Sequence, residues 1–106
     1  MTLPTPLSPI DLCRHAAGLG QSWRSDVVAR PGHSQLKVLR MDGSPSEEEV
    51  HPYAEALLVL QGQLKLRVRG EDLVVGAGEL CTIEAGVPHA VGEGSWGTLV
   101  IVDAAR

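Results

Sequence analysis

The run Leu64-Lys65-Leu66-Arg67-Val68-Arg69 alternates aliphatic and cationic residues without a break. Successive side chains of a strand point to opposite faces, so the three aliphatics share one face and the three cations the other. The pattern predicts an antiparallel strand with one face on a core and one in water. Gln61-Gly62-Gln63 before it and Gly70-Glu71-Asp72 after it read as hairpin turns. The same period of two extends outward from Gln21 to the end of the chain. Strands are expected at 23–29, 35–41, 50–60, 64–69, 73–75, 80–83, 89–91 and 97–102. Residues 56–60 are apolar at every position and are expected to be covered on both sides. Short strands at this spacing, punctuated by Gly76-Ala77-Gly78 and Gly92-Glu93-Gly94, predict an all-β fold, a small barrel or double-sheet jelly roll.

The first 20 residues read differently. Pro4, Pro6 and Pro9 suit an extended arm over residues 1–9. Ser8 as N-cap, Pro9 at the first helical position and Asp11 three residues after the cap then predict one short helix of about ten residues. Gly18 and Gly20 stop it. The division is therefore residues 1–20 as arm and helix, and 21–106 as the β-domain.

Composition narrows the function. At 106 residues the chain suits one domain. Leu, Val and Ile supply 29 of them, enough for a core, while 12 glycines and 7 prolines argue for turns and against a helical bundle. A formal net charge of −4 with no Lys/Arg run lacks the footprint of a nucleic-acid binder. No apolar stretch approaches the roughly 18 residues of a membrane helix. The start lacks the basic and apolar regions of a signal peptide. Cys13, on the expected helix, and Cys81, in an expected strand, read as reduced thiols of a cytoplasmic protein.

Four histidines could carry chemistry. His15 on the helix and His33 in the Pro31-Gly32-His33-Ser34 turn read as structural or exposed. His51 sits in Glu47-Glu48-Glu49-Val50-His51-Pro52-Tyr53-Ala54-Glu55. If a strand runs through this stretch, Glu49, His51 and Glu55 share a face. Two carboxylates and an imidazole would suit Mn, Fe, Ni or Zn. The same residues also read as a solvated acidic loop followed by a half-buried histidine. Tyr53 is a candidate proton donor if it points inward. Trp96 is a candidate for the rim of a pocket, and Arg24 and Arg40 are weaker candidates to face a substrate carboxylate. No phosphate loop, nucleophile elbow or Ser-His-Asp arrangement is visible.

Glu49-x-His51-x3-Glu55-x6-Gly62 resembles the first motif of the cupin superfamily, His-x-His-x(3–4)-Glu-x6-Gly. Gly78-x5-Glu84-Ala85-Gly86-Val87-Pro88-His89-x3-Glu93 is similar to the second, Gly-x5-Pro-x-Gly-x2-His-x3-Asn. The resemblance is to small single-domain cupins of the conserved-barrel, cupin 2 type, and it implies a double-stranded β-helix, or jelly-roll barrel, over residues 21–106. It also implies a divalent metal held by His51, Glu55 and His89, a set like the facial arrangement of non-haem iron oxygenases. Glu49 replaces the family's first histidine; it is either a fourth ligand or nearby base, or turned to solvent. Glu84 and Glu93 replace the motif's Pro and Asn.

Two functions follow from the resemblance. One is a metal-dependent dioxygenase or isomerase acting on a small oxygenated metabolite. The other is a non-catalytic barrel that binds a small-molecule effector with a degenerate metal site. Small cupins are commonly dimers, and a short chain with open sheet edges points the same way, so a homodimer is expected.

Overall fold

Over residues 8–106, which the computed structural model describes, the chain forms one helix, α1 (Leu12–Ala17), and seven strands. These are β1 (Asp26–Ala29), β2 (Ser34–Asp42), β3 (Glu55–Val68), β4 (Glu71–Gly76), β5 (Leu80–Ile83), β6 (His89–Val91) and β7 (Trp96–Ala104). Most of the expected arm lies outside the described residues. Every strand pairing is antiparallel, in the order β1-β2-β7-β3-β4, with β5 and β6 also paired to β3. The result is the expected jelly-roll barrel with a short N-terminal helix.

β3 organises the barrel. Its first half lies between β7 and β5, and its second half between β4 and β6. The hairpin expected at Gln61-Gly62-Gln63 does not form; two expected strands are one continuous strand of 14 residues. Register against β7 slips between Val59 and Gln61, the signature of a bulge. The slip changes which parity faces inward. Leu57 and Val59 point into the core before it, and Leu64 and Leu66 after it. Without the bulge one half of β3 would turn its aliphatics out of the barrel.

The glycine has another purpose than a turn. Gly62 pairs with Gly97 across the β3–β7 ladder, with φ of +84° and +103°. A Cβ on Gly62 would overlap the Trp96 carbonyl, and one on Gly97 the Gln61 carbonyl. Only glycine allows both the left-handed backbone and this close approach.

The tight turn is one residue earlier than expected. Val68 pairs with Glu71, so Arg69 and Gly70 form the two-residue loop, both at positive φ. Two such residues are what a type I′ hairpin requires. β1 starts at Asp26 and not at Trp23, because Trp23 adopts φ +63° and breaks the extended run. β3 starts at Glu55 rather than Val50, with Pro52 in the irregular segment before it.

Two apolar clusters sandwich the sheet. Leu39, Met41, Leu57, Val59, Leu64, Leu66, Leu99 and Ile101 fill the barrel interior. Ala16, Val28, Val38 and Val100 form a second cluster on the outer face, where α1 packs against β2. Leu58 and Leu60 are half-buried in that outer cluster, so the 56–60 run is covered more fully on its inner side. α1 has six residues and is N-capped by Asp11, whose carboxylate accepts from the Arg14 N–H at 3.0 Å. Arg40 donates to the Ala16 and Leu19 carbonyls at the other end, so it closes the helix and does not enter the barrel. Among the described residues no helix is long and apolar enough to cross a membrane.

Candidate metal centre

The two sequence motifs meet through their backbones. Glu49 and His89 form an isolated antiparallel bridge, and the Gly86 N–H donates to the His51 carbonyl at 2.8 Å. These contacts fold the irregular segment 49–54 against the Glu84–Pro88 turn. The three first-motif residues therefore converge without lying on one strand, which is where the expected common face was too simple.

Their side chains gather on the wall of the barrel cavity. His51 Nε2 lies 3.3 Å from Glu49 Oε2 and 3.6 Å from Glu55 Oε1. His89 Nε2 lies 3.7 Å from the same Glu55 oxygen. Donor atoms of Glu49, His51 and His89 are all within 4.8 Å of one another. Glu55 and His89 are buried, His51 is half-buried and Glu49 is exposed. His89 Nδ1 is 3.0 Å from the Val87 carbonyl. A carbonyl only accepts, so Nδ1 carries the proton of this contact and Nε2 is the ring nitrogen that faces the cluster.

The separations are longer than hydrogen bonds, and the 3.3 Å one between His51 and Glu49 also matches two ligands on one ion. N–H···O bonds run about 2.7–3.2 Å, and all three N···O separations here are longer. Ligands bonded at about 2.0–2.2 Å to a shared ion stand roughly 3.0–3.5 Å apart. A buried carboxylate facing two imidazoles, with no Lys or Arg ion-paired to it among the described residues, is a donor set for a divalent cation. Glu49, His51, Glu55 and His89 are thus compatible with a metal site.

Above this cluster lies a cavity of about 430 Å³. Leu57, Leu64, Leu66, Leu99 and Ile101 wall it, and Trp23, Ser46 and Tyr53 also line it. Tyr53 stacks on His51 with ring centroids 5.1 Å apart and planes 13° apart. The Arg106 guanidinium carbon sits 4.0 Å from the centre of the Tyr53 ring. Trp23 is fixed by its indole N–H, which donates to Asp42 at 2.6 Å and to Ser44 at 3.1 Å. Hydrogen bonds from Ser22, Ser44 and Trp23 hold the Asp42 carboxyl well below the usual carboxylate range.

Other sequence candidates lie elsewhere. Trp96 is exposed and does not line this cavity; Trp23 takes the place expected for it. Arg24 is exposed. His15 Nε2 pairs with Asp26 at 2.7 Å and ties α1 to β1, while His33 is exposed, both as expected. Cys13 and Cys81 are free thiols, and burial pushes the Cys81 thiol up.

Sequence reasoning passed over Lys37. It follows Gln35 and precedes Leu39 and Met41 on the inward face of β2, and it is 8% exposed. Its ammonium pairs with Asp103 Oδ2 at 2.8 Å, Gln35 donates to Oδ1 at 2.9 Å, and Arg106 reaches Oδ2 at 3.1 Å. Burial pushes the Asp103 carboxyl up, but hydrogen bonds from Lys37, Gln35 and Arg106 outweigh it and hold the carboxyl below its ordinary range. The signal was the period of two in 35–41, which puts a lysine among inward positions.

Solved structures share this architecture. A cupin-2 domain protein from Shewanella frigidimarina superposes with a TM-score of 0.82 at 23% identity, over 91% of this chain and 94% of that one. A cupin superfamily protein from Desulfitobacterium hafniense gives 0.75 at 17% identity, over 98% and 95%. The DMSP lyase DddQ from Ruegeria pomeroyi gives 0.62 at 19%, over 70% of this chain and 39% of that one. No curated protein matches the sequence. The family model described as "Cupin domain" matches residues 38–104, which include all four residues of the cluster, and the chain belongs to the cupin family.

Proposed function

We propose that the barrel binds one divalent metal ion through His51, His89, Glu55 and Glu49, and acts there on a small oxygenated metabolite in the manner of a dioxygenase or isomerase. The observation that carries this reading is the convergence of two imidazoles and two carboxylates, with N···O separations of 3.3–3.7 Å and no Lys or Arg paired to those carboxylates among the described residues. A bound ion would supply Lewis-acid polarisation of a carbonyl or hydroxyl oxygen. The residues of the chain do the rest. His89 is oriented by the Val87 carbonyl, and His51 by the Tyr53 ring. Glu49, exposed beside the cluster, either completes the ligand set or, turned off the ion, takes and returns a proton at its carboxylate. Aliphatic walls and Trp23 exclude water from the body of a bound molecule. That the same fold serves a lyase in Ruegeria pomeroyi supports a catalytic use of the barrel.

The partner in this reading is a small molecule, with a second copy of the chain on the outer face. Leu36, Leu58, Leu60 and Val102 leave a partly exposed apolar surface across β2, β7 and β3, which a homodimer would cover. Free thiols at Cys13 and Cys81 support a cytoplasmic location. The test is to load the protein with Mn, Fe, Ni and Zn in turn, then assay oxygen uptake and isomerisation on small hydroxy and oxo compounds. Turnover by a loaded form, lost in His51→Ala, supports the reading. A loaded protein inert to every class would leave the effector-binding barrel.

A further inference from the structure

The His/Glu cluster has a cationic neighbour on the same side of the cavity. β7 runs between β2 and β3, and its Val102 pairs with Leu36 on one side and Ala56 on the other. One residue along, Asp103 stands between Gln35 and Glu55, and all three are buried. The Lys37 ammonium reaches Asp103 Oδ2 at 2.8 Å, which brings it to the strand next to Glu55. Arg106 marks the same place: it reaches that oxygen at 3.1 Å and covers Tyr53, the ring stacked on His51. The Lys37 side chain is 10% exposed and lines the cavity together with His51, Glu55 and His89. An ammonium has three donors. Asp103 is its only partner among the described residues, so donors remain for a ligand.

Charge decides what such a ligand is. The carboxylates Glu49, Glu55 and Asp103 outnumber the cations Lys37 and Arg106 by one. A divalent ion turns that surplus from one negative charge to one positive, which an anion neutralises. The step from Asp103 to Glu55 is one strand spacing, about 5 Å. Contacts so close suit two adjacent groups of one ligand, not the two ends of a chain. We infer that the metal-loaded site takes a 2-hydroxy or 2-oxo acid, with Lys37 holding the carboxylate and the neighbouring oxygen turned to the His/Glu cluster. Lys37 is then a specificity-determining residue, and Asp103 sets how much of its charge the ligand meets. The inference rests on the proposed metal site and names the substrate class of that site.

The experiment loads the full chain with Mn, Fe, Ni and Zn in turn and measures uptake. Lactate and lactamide are then titrated by calorimetry into the form that holds its metal tightest. The amide keeps both oxygens and loses the charge. Whatever preference for the acid the ion itself creates is common to all variants, so the readout is the acid-to-amide affinity ratio across them. Lys37→Met is expected to lower that ratio about tenfold. It also strips Asp103 of its closest cation, so the double variant Lys37→Met/Asp103→Asn, which removes both charges, is measured beside it and is expected to show the same fall. Asp103→Asn alone, which frees Lys37, is expected to raise the ratio several-fold. A ratio unchanged in the double variant, a ratio that falls in Asp103→Asn, or no binding of lactate to the loaded protein overturns the inference and leaves the metal reading standing. A native chain that takes up none of the four metals refutes that reading, and this inference with it.

Discussion

Glu49 and His89 exchange backbone hydrogen bonds in both directions, Glu49 N–H to the His89 carbonyl at 2.7 Å and His89 N–H to the Glu49 carbonyl at 3.0 Å. The residue that departs from the family's first motif is therefore clamped beside the histidine of the second. The clamp is made by main chain, so it does not depend on which side chain stands at position 49. This is why a glutamate can replace a histidine there and still bring an oxygen to 3.3 Å from His51 Nε2.

That independence makes position 49 exchangeable. Glu49→His should fold as wild type and shift metal preference toward borderline ions such as Ni and Zn over Mn by about tenfold, as imidazole replaces a carboxylate. Glu49→Ala should weaken all four metals. Competitive metal titrations of the three proteins check this; equal affinities would place Glu49 in solvent, outside the site.

Gly62 and Gly97 should tolerate no side chain. Gly62→Ala combines a left-handed φ with overlap on the Trp96 carbonyl. The expected loss is about 3 kcal/mol or more, or a fall in Tm of more than about 12 °C for a domain of this size. Gly70→Ala, with open space around the added carbon, carries only the backbone strain and should cost less. Thermal unfolding of both variants gives the comparison.

Asp103 predicts an acid dependence of stability. Its carboxyl is held below the ordinary range in the folded barrel. A group so depressed favours the folded state above its unfolded value of about 3.9, and that contribution fades as pH falls through the lower, folded value. Wild type and Asp103→Asn should thus differ by a constant amount between about pH 5 and 7 and converge below about pH 4. Urea unfolding across that range measures it.

The fold was legible where chemistry and period agreed. Leu64 to Arg69 read as a one-sided strand, and Leu64 and Leu66 are buried while Arg67 pairs with Asp72 at 2.8 Å in water. Gly62 misled because a glycine between two strand patterns signals both a turn and a close crossing; only the partner strand, carrying Gly97, distinguishes them. The helix start moved from Ser8 to Asp11 because both residue types cap, and local sequence does not say which does. Of the site, spacing offered Glu49, His51 and Glu55 only as one of two readings, and the set with His89 came from the resemblance to the two cupin motifs. Lys37, Asp103 and Arg106 were not legible, since their meeting depends on the β2–β7 register that sets Gln35 opposite Asp103.

Metal stoichiometry and affinity of the native protein against the His51→Ala/His89→Ala double variant test the central claim most directly. The account predicts one tightly held divalent ion per chain near pH 7.5, weaker binding near pH 5.5 as protons compete for the ligands, and loss by at least about a hundredfold in the variant. A native protein that stays metal-free after saturation with Mn, Fe, Ni and Zn, or a variant that binds as well as the native chain, would contradict it.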